Sequence, residues 1–378
     1  MAPHRYHILM TADAVTGVWQ YALELARALR PHEARITLAV MGPPPTPPQL
    51  VEASAVTNLE IVEAPWPLEW MPGACSVLEE AGHWLLGLEQ QVAPDLVHLN
   101  HYTFAALPWS LPVLVTAHSD LLGQWAARNP CSSKAPPSLP PELAHYPAAV
   151  TEGLRRADLV VSPPHALANA LCNHYGPLPH PPRIIPHART PRPPLATEAK
   201  RNFILAASNR CWLPEKNYQT LDIAAVHLPW PVFLAGPTES DEGEGITLDH
   251  IDCLGPLSNV ALGNWMGLAS IFVHPCTYEP FGLPVLEAAQ AGCALVLADL
   301  PSLREVWRDA AIYVPPHDPR AFASALRRLI DDLPLRSKLG ERARRHSMNF
   351  SPDVMAESYL EVYTHLLQKS HEPLDLLP

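Results

Sequence analysis

Two glutamates, Glu279 and Glu287, stand eight positions apart in HPCTYEPFGLPVLEAAQAG (274–292), with a Phe-Gly-Leu-Pro turn between them. Three chemistries use paired carboxylates. A glycosidase acid–nucleophile pair flanks one bond at a set separation, but such pairs usually come from different strands. A metal-dependent sugar transferase usually holds its ion with an aspartate pair two positions apart, and this chain has none. The metal reading weakens accordingly. The third use, a grip on a nucleotide sugar, also accounts for the residues in the middle. A helix beginning at the Leu-Pro step presents amide donors and a partial positive charge, so Phe281, Gly282 and Leu283 can wrap a diphosphate, with Gly282 permitting close approach. Glu287, about one turn into the helix, can accept ribose hydroxyls. Glu279, at the end of the preceding strand, then faces the transferred sugar.

Positioning such a turn takes a strand before it and a helix after it. IFVHP (271–275) is a short apolar run of strand length. Pro284 followed by VLEAAQA reads as a helix with proline in its first turn and Gly292 just past its end. The same alternation runs through the chain. HILMTA, RITLAVM, LEIVEA, DLVHLN, PVLVTAH, DLVVSP and RIIPHA form one series. FILAAS, PVFLAG, IDCLG, IFVHP, ALVLAD and AIYV form a second. Most are continuously apolar, as strands covered on both faces of a parallel sheet are. Helical spacing in TGVWQYALELARALRPH and in DPRAFASALRRLIDDL fills the gaps. Two α/β domains in tandem follow. The proline-dense stretch from Gly176 to about Arg201 is the expected linker, and SPDVMAESYLEVYTHLLQK (351–369) is expected as a closing helix able to cap either domain.

A chain of 378 residues, 48% hydrophobic and 17% charged, can bury two full cores. The net charge of −12 is spread over both halves, so no basic face for nucleic acid or anionic lipid stands out. Seven scattered cysteines, at 75, 131, 172, 211, 253, 276 and 293, form no CxxC pair and suit reduced thiols. No signal-like start and no run of eighteen apolar residues occurs, so a cytoplasmic protein without a transmembrane segment is expected. No GxGxxG follows a strand, which disfavours a dinucleotide dehydrogenase. His98 and His101, three apart near a strand end, suit neither helix-face metal spacing nor a wider cluster. Six tryptophans in the first half are expected to pack, with an acceptor platform as the alternative.

The pattern E-x-F-G-x-x-x-x-E after a strand, together with SNRCWLPEKN (208–217), resembles the retaining, nucleotide-sugar-dependent glycosyltransferases of family 4, which have the GT-B fold. The likeness extends to TGVWQYALELARAL, the histidine of VTAHSD, GPLS (255–258) and the SLREVW segment. It implies two Rossmann-like α/β/α domains facing each other across a cleft: 1–188 for the acceptor, 189–350 for the nucleotide sugar, and a C-terminal helix in 351–378. By the same resemblance, Arg210 and Lys216 clamp the donor diphosphate, Glu287 binds ribose, and Leu257 lies along the nucleobase. Glu279, with the backbone of Phe281, Gly282 and Leu283, meets sugar and phosphate. His118 lies near the sugar's C6 hydroxyl, and Gly17 opens a loop facing the phosphates. The implied reaction is hexosyl transfer from a UDP- or GDP-sugar, such as UDP-glucose, to an acceptor hydroxyl, with retention and without a metal or other cofactor. A GT-B nucleotide-sugar epimerase and a non-catalytic nucleotide-sugar-binding subunit are the alternatives. Thr16 stands where the family commonly has a second glycine, and His187-Ala188 replaces the usual Asn-Gly of the linker strand. Base, sugar, acceptor and oligomeric state are not readable.

Overall fold

The apolar runs form two sheets in the computed structural model, which describes residues 6–71, 73–129, 139–191, 199–240 and 242–370. The segment 119–145, the linker and the C-terminal segment therefore fall partly outside the described residues, as does Cys131. The first sheet holds β1 (Tyr6–Asp13), β2 (Ala34–Met41), β3 (Leu59–Glu63), β4 (Leu96–Leu99), β5 (Val113–Thr116), β6 (Leu159–Ser162) and β7 (Arg183–Ile184). The second holds β8 (Arg201–Ala207), β9 (Val232–Ala235), β10 (Asp252–Gly255), β11 (Ala269–His274), β12 (Ala294–Ala298) and β13 (Ala311–Val314). Strand order is β3-β2-β1-β4-β5-β6-β7 in one and β10-β9-β8-β11-β12-β13 in the other. Every pairing is parallel, from Tyr6↔Ala34 through Asp13↔Met41 at one end to Leu295↔Ala311 through Ala298↔Val314 at the other. In both sheets the order reverses beside the first strand, between β1 and β4 and between β8 and β11. At such a reversal, loops leave neighbouring strands in opposite directions and open a crevice at the carboxyl ends.

Two compact units result: Met1–Leu122 with Ser138–Ala188 and Pro352–Pro378, and Gly123–Pro137 with Arg189–Ser351. Within the span 1–188 expected for the first domain, the described residues 123–129 group with the second unit. The reason is electrostatic. Glu215, fully buried, accepts from Gln124 Nε2 at 2.7 Å and from both Nε and Nη2 of Arg128 at 2.8 Å. A buried carboxylate demands such partners.

In the first unit, the helix Gly17–Leu29 buries Val18, Trp19, Tyr21, Ala22 and Leu25 against β1 and β2. The helix Pro352–Ser370 packs on it and brings Met355, Tyr359, Val362, Tyr363 and Leu366 into the same core. That core contains a polar seam. His98 lies between Tyr363 Oη, 2.8 Å from Nδ1, and Thr116 Oγ1, 2.7 Å from Nε2. Tyr21 Oη donates to Tyr359 Oη at 2.6 Å. Burial lowers the His98 pKa to about 3, so the ring is neutral, with Tyr363 at Nδ1 and both Thr116 and Tyr21 hydroxyls within reach of Nε2. Trp66, Trp70, Trp84 and Trp109 pack partly buried against the unit's other core layer. Among the described residues, no helix is long and apolar enough to cross a membrane.

Replacing Tyr363 with Phe leaves one buried imidazole nitrogen without its partner. We expect a loss of about 1–3 kcal/mol in stability, seen as a lower urea midpoint for the first unit's tryptophan fluorescence.

Candidate functional site

The second unit collects its candidate residues at the carboxyl ends of β8 and β11, beside the strand reversal. After β8 the chain turns through SNRCWLPEKN and ends in a short 3₁₀ turn, Pro214–Lys216. Asn217 follows in the left-handed conformation (φ 58°), a region that asparagine tolerates better than most residues. Its Nδ2 donates to Pro275 O at 2.8 Å and to Pro316 O at 2.7 Å. Thr277 N donates to Glu215 O at 2.8 Å. Two loops distant in sequence are thereby stitched together, and the stitching brings Lys216 Nζ to 3.3 Å from Glu279 Oε2.

Glu279 also accepts from His274 Nε2 at 3.0 Å, while its own carbonyl accepts from Ser302 Oγ at 2.5 Å. Burial pushes the Glu279 carboxyl upward, but the Lys216 charge and the His274 hydrogen bond outweigh it and hold the group at about 2. The same pairing overrides burial at Lys216 and raises its ammonium above the usual value. Both are charged at neutral pH. His274, Cys276 and Glu279 are the one trio among the described residues whose ligand atoms all lie within 4.8 Å of one another. The cationic position beside Glu279 is taken by Lys216, and burial pushes the Cys276 thiol well up.

The turn that follows is shaped by Gly282, whose φ of 88° is left-handed. A Cβ there would lie 3.1 Å from Val285 Cγ2, so both conformation and space favour glycine. Gly282 caps the helix Leu283–Gln290. Leu286 N bonds back to Gly282 O at 3.0 Å, and Pro284 has no N–H, so the amides of Leu283 and Val285 are those with no carbonyl inside the helix to meet. The Phe281 side chain is core, edge-on to Phe350 at 5.7 Å; only its backbone belongs to the turn. Glu287 lies on the helix, where Arg189 holds it with Nε and Nη2 at 2.7 and 2.6 Å from Oε1. Arg210 is half-buried in the loop after β8. Leu257 is half-buried just before the Ser258 cap of the helix Asn259–Leu268.

In the first unit the carboxyl ends of β1, β4 and β5 hold Gly17, Asn100 and His118. His118 Nε2 is 2.7 Å from Asn100 Oδ1, and Asn100 Nδ2 donates to Thr11 O at 2.6 Å. The asparagine oxygen therefore accepts, and Nε2 carries the proton. Burial, then the neighbouring His187, His98 and His101, lower the His118 pKa well below its usual value. The ring stacks on His187 with centroids 5.0 Å apart and planes at 18°. His118 is thus a neutral imidazole with Nδ1 as its acceptor. Gly17 is exposed at the first turn of its helix. The two amides before it are turned inward: Asp13 Oδ1 accepts from Val15 N at 2.9 Å and Thr16 N at 2.6 Å, and Oδ2 from Thr16 Oγ1 at 2.8 Å. Thr16, the departure from the family pattern, is the helix N-cap. His98 and His101 are buried and hydrogen-bonded, His101 to Thr11 Oγ1 at 3.1 Å.

Sequence reasoning did not find Arg189, Asn100, Asp13, His274 or the Arg128–Glu215 pair. His274 had a signal, at the strand end five residues before Glu279. Arg189 had none, being 98 positions from its partner.

Two tandem parallel sheets with candidate residues at their strand reversals define a GT-B fold, and the comparisons agree. Sucrose-phosphate synthase from Thermosynechococcus elongatus superposes with a TM-score of 0.78 over 97% of this chain and 100% of that one, at 18% identity. Anabaena HepE, solved in complex with UDP-glucose, gives 0.71 over 96% and 100%, at 15% identity. A family model for Glycosyltransferase Family 4 matches residues 15–189, and one for Glycosyl transferases group 1 matches 234–346. Together these matches support a glycosyltransferase of the family-4 type. Among curated relatives, D-inositol 3-phosphate glycosyltransferase of Streptomyces avermitilis is 35% identical over 115 residues, 30% of this chain and 25% of that protein. Its counterpart from Salinispora arenicola is 37% identical over 121 residues, 32% and 27%. The chain thus spans about a quarter of the curated relatives it matches.

The Glu279 pairing gives a pH signature. A carboxyl lowered from 4.5 to about 2 on folding stabilises fully above 4.5, and that contribution is lost as pH falls through 2. We expect stability to drop by roughly 2–3 kcal/mol across that window. Glu279→Gln should flatten this part of the stability-against-pH curve, measured by urea unfolding at pH 5, 4 and 3. An unchanged slope would contradict the pairing.

Proposed function

We propose that the protein transfers a hexose from a UDP- or GDP-linked donor to an acceptor hydroxyl, with retention at the anomeric carbon and without a metal ion. The observation that carries this reading is the convergence of Lys216, Glu279 and the amide end of the helix Leu283–Gln290 at the strand reversal of the second sheet. The complex of the structural relative HepE with UDP-glucose supports the choice of donor class.

Breaking the bond from anomeric carbon to diphosphate leaves negative charge on the departing phosphate. Lys216 and Arg210 supply cations for it, and Leu283 and Val285 supply backbone donors. Such preorganised groups act where charge develops, each worth on the order of 3 kcal/mol. Glu279 is held ionised, so it can accept a sugar hydroxyl but cannot donate a proton. The developing positive charge at the anomeric carbon favours a carboxylate nearby. In this same-face route the leaving phosphate oxygen takes the acceptor's proton, so no separate protein base is needed. His118, neutral and protonated on Nε2, offers Nδ1 to the sugar's C6 hydroxyl as an acceptor. Glu287 receives the ribose hydroxyls. Lys216, already satisfying the charge of Glu279, is the residue that would make a metal ion dispensable here.

Lys216→Ala is expected to lower kcat/KM by about 100-fold, and Glu287→Ala to raise donor KM with a smaller change in kcat. His118→Ala should lower kcat by about 10-fold with donor affinity largely kept. Steady-state kinetics with UDP-glucose or GDP-mannose as donor check all three, and unchanged constants throughout would remove the assignment. Activity should persist in excess EDTA; a strict Mg²⁺ or Mn²⁺ requirement would contradict the metal-free route.

Because the imidazole of His118 titrates well below 6.5, its acceptor nitrogen stays available from pH 8 down to 6. The kcat profile over that range should show no inflection that His118→Gln abolishes. An inflection near pH 6.5 lost in that variant would show a histidine of ordinary basicity.

A further inference from the structure

The first residue of the second unit's main stretch, Arg189, is joined to the helix Leu283–Gln290 at both ends. Its guanidinium places two N–H groups on a single oxygen of Glu287, at 2.7 and 2.6 Å. Its carbonyl accepts from Gln290 Nε2 at 2.7 Å. Glu287 and Gln290 are three apart and therefore share one helix face. The two charged side chains are not equally deep: that of Arg189 is 4% exposed and that of Glu287 15%. The cation lies beneath and the carboxylate reaches the surface, on the helix whose amide end carries the diphosphate assignment.

We propose that Arg189 is a positioning residue for donor recognition: it fixes the Glu287 carboxylate so that it reads the ribose hydroxyls of the nucleotide, and it cancels the carboxylate's charge beside an anionic ligand. The inference rests on the donor reading above and adds to it the residue that aims the ribose contact. The physical reasons are two. An unsupported glutamate has three rotatable bonds, and binding a diol would require freezing them; a two-pronged guanidinium freezes them in advance. An uncompensated carboxylate near a diphosphate would also repel it, most strongly where water is scarce. Lysine could supply the charge but not the fork.

The test is isothermal titration of the full chain with UDP, 2′-deoxy-UDP, GDP and 2′-deoxy-GDP. The wild type is expected to bind its preferred ribonucleotide about ten-fold more tightly than the deoxy form, the size of one charge-assisted hydrogen bond. Arg189→Gln should bring that ratio to within about two-fold, as should Glu287→Gln, and the double variant should go no further. A purely structural arginine would lower the unfolding temperature and leave the ratio intact, and that result in a folded Arg189→Gln protein overturns the proposal. If Arg189→Gln fails to fold, Arg189→Lys decides: a ratio below about three-fold supports the proposal, and the wild-type ratio overturns it. A wild type that binds neither ribonucleotide overturns the donor reading itself. One that binds UDP or GDP without preference for the ribose form overturns the Glu287 role while leaving the donor class standing.

Discussion

The second unit's site depends on keeping a carboxylate ionised in a place that disfavours its charge. Glu279 is largely out of water, and burial pushes its pKa upward. Lys216 and His274 reverse that outcome, and they do so only because two loops are locked in register by Asn217 and by the Thr277–Glu215 backbone bond. The locking depends in turn on parallel pairing of β8 with β11, which sets the two strand ends side by side. Sheet topology, loop stitching and one ion pair therefore form a single chain of causes. Glu215 extends it by one link, since its carboxylate is held by Arg128 and Gln124 while its carbonyl holds Thr277.

The first unit handles its buried polar groups differently. Burial keeps His98 and His118 neutral, and hydroxyls or an amide meet their nitrogens, whereas His174 is hydrogen-bonded to the buried Asp120. His98 is matched by Tyr363 and Thr116, and His118 by Asn100. An imidazole that stays neutral and has one nitrogen committed can only accept at the other, so the environment fixes the role of His118 before any ligand arrives. The helix Pro352–Ser370 contributes two of the tyrosines in this arrangement, and the last helix of the sequence thus helps to order the strand ends of the first sheet.

Every strand of both sheets was legible in the sequence, because continuous apolar runs separated by helical spacing have few other ways to fold. The turn at Gly282 was legible as a glycine ahead of a helix with proline in its first turn, but its left-handed backbone was not, since a helix N-cap is usually extended. The partners of the charged residues were not. Arg189 sits in a proline-dense stretch that reads as a spacer, and nothing local marks it as the guanidinium that meets Glu287. Residues 123–129 fall within the span expected for the first domain, and their grouping with the second unit goes with a contact between Arg128 and Glu215 that no periodicity encodes. Asp13 was passed over for the same reason. Its three short-range bonds close the loop before Gly17, and they explain how threonine can replace a glycine there: Thr16 caps the helix while Asp13 takes its amide and hydroxyl.

For the proposed diphosphate ligand, two carboxylates beside the turn look paradoxical on charge alone. The pairing resolves it. Glu279 is balanced by Lys216 and Glu287 by Arg189, so the turn between them is flanked by two neutral pairs and not by two negative charges. The helix start between them keeps its partial positive charge, which suits the diphosphate of the proposed donor. Each glutamate keeps the property a sugar or ribose hydroxyl needs, a strong acceptor fixed in direction, without its long-range repulsion. Eight-residue spacing is what makes this possible. It puts one carboxylate ahead of the turn and the other a helical turn beyond it, far enough apart for each to hold its own cation.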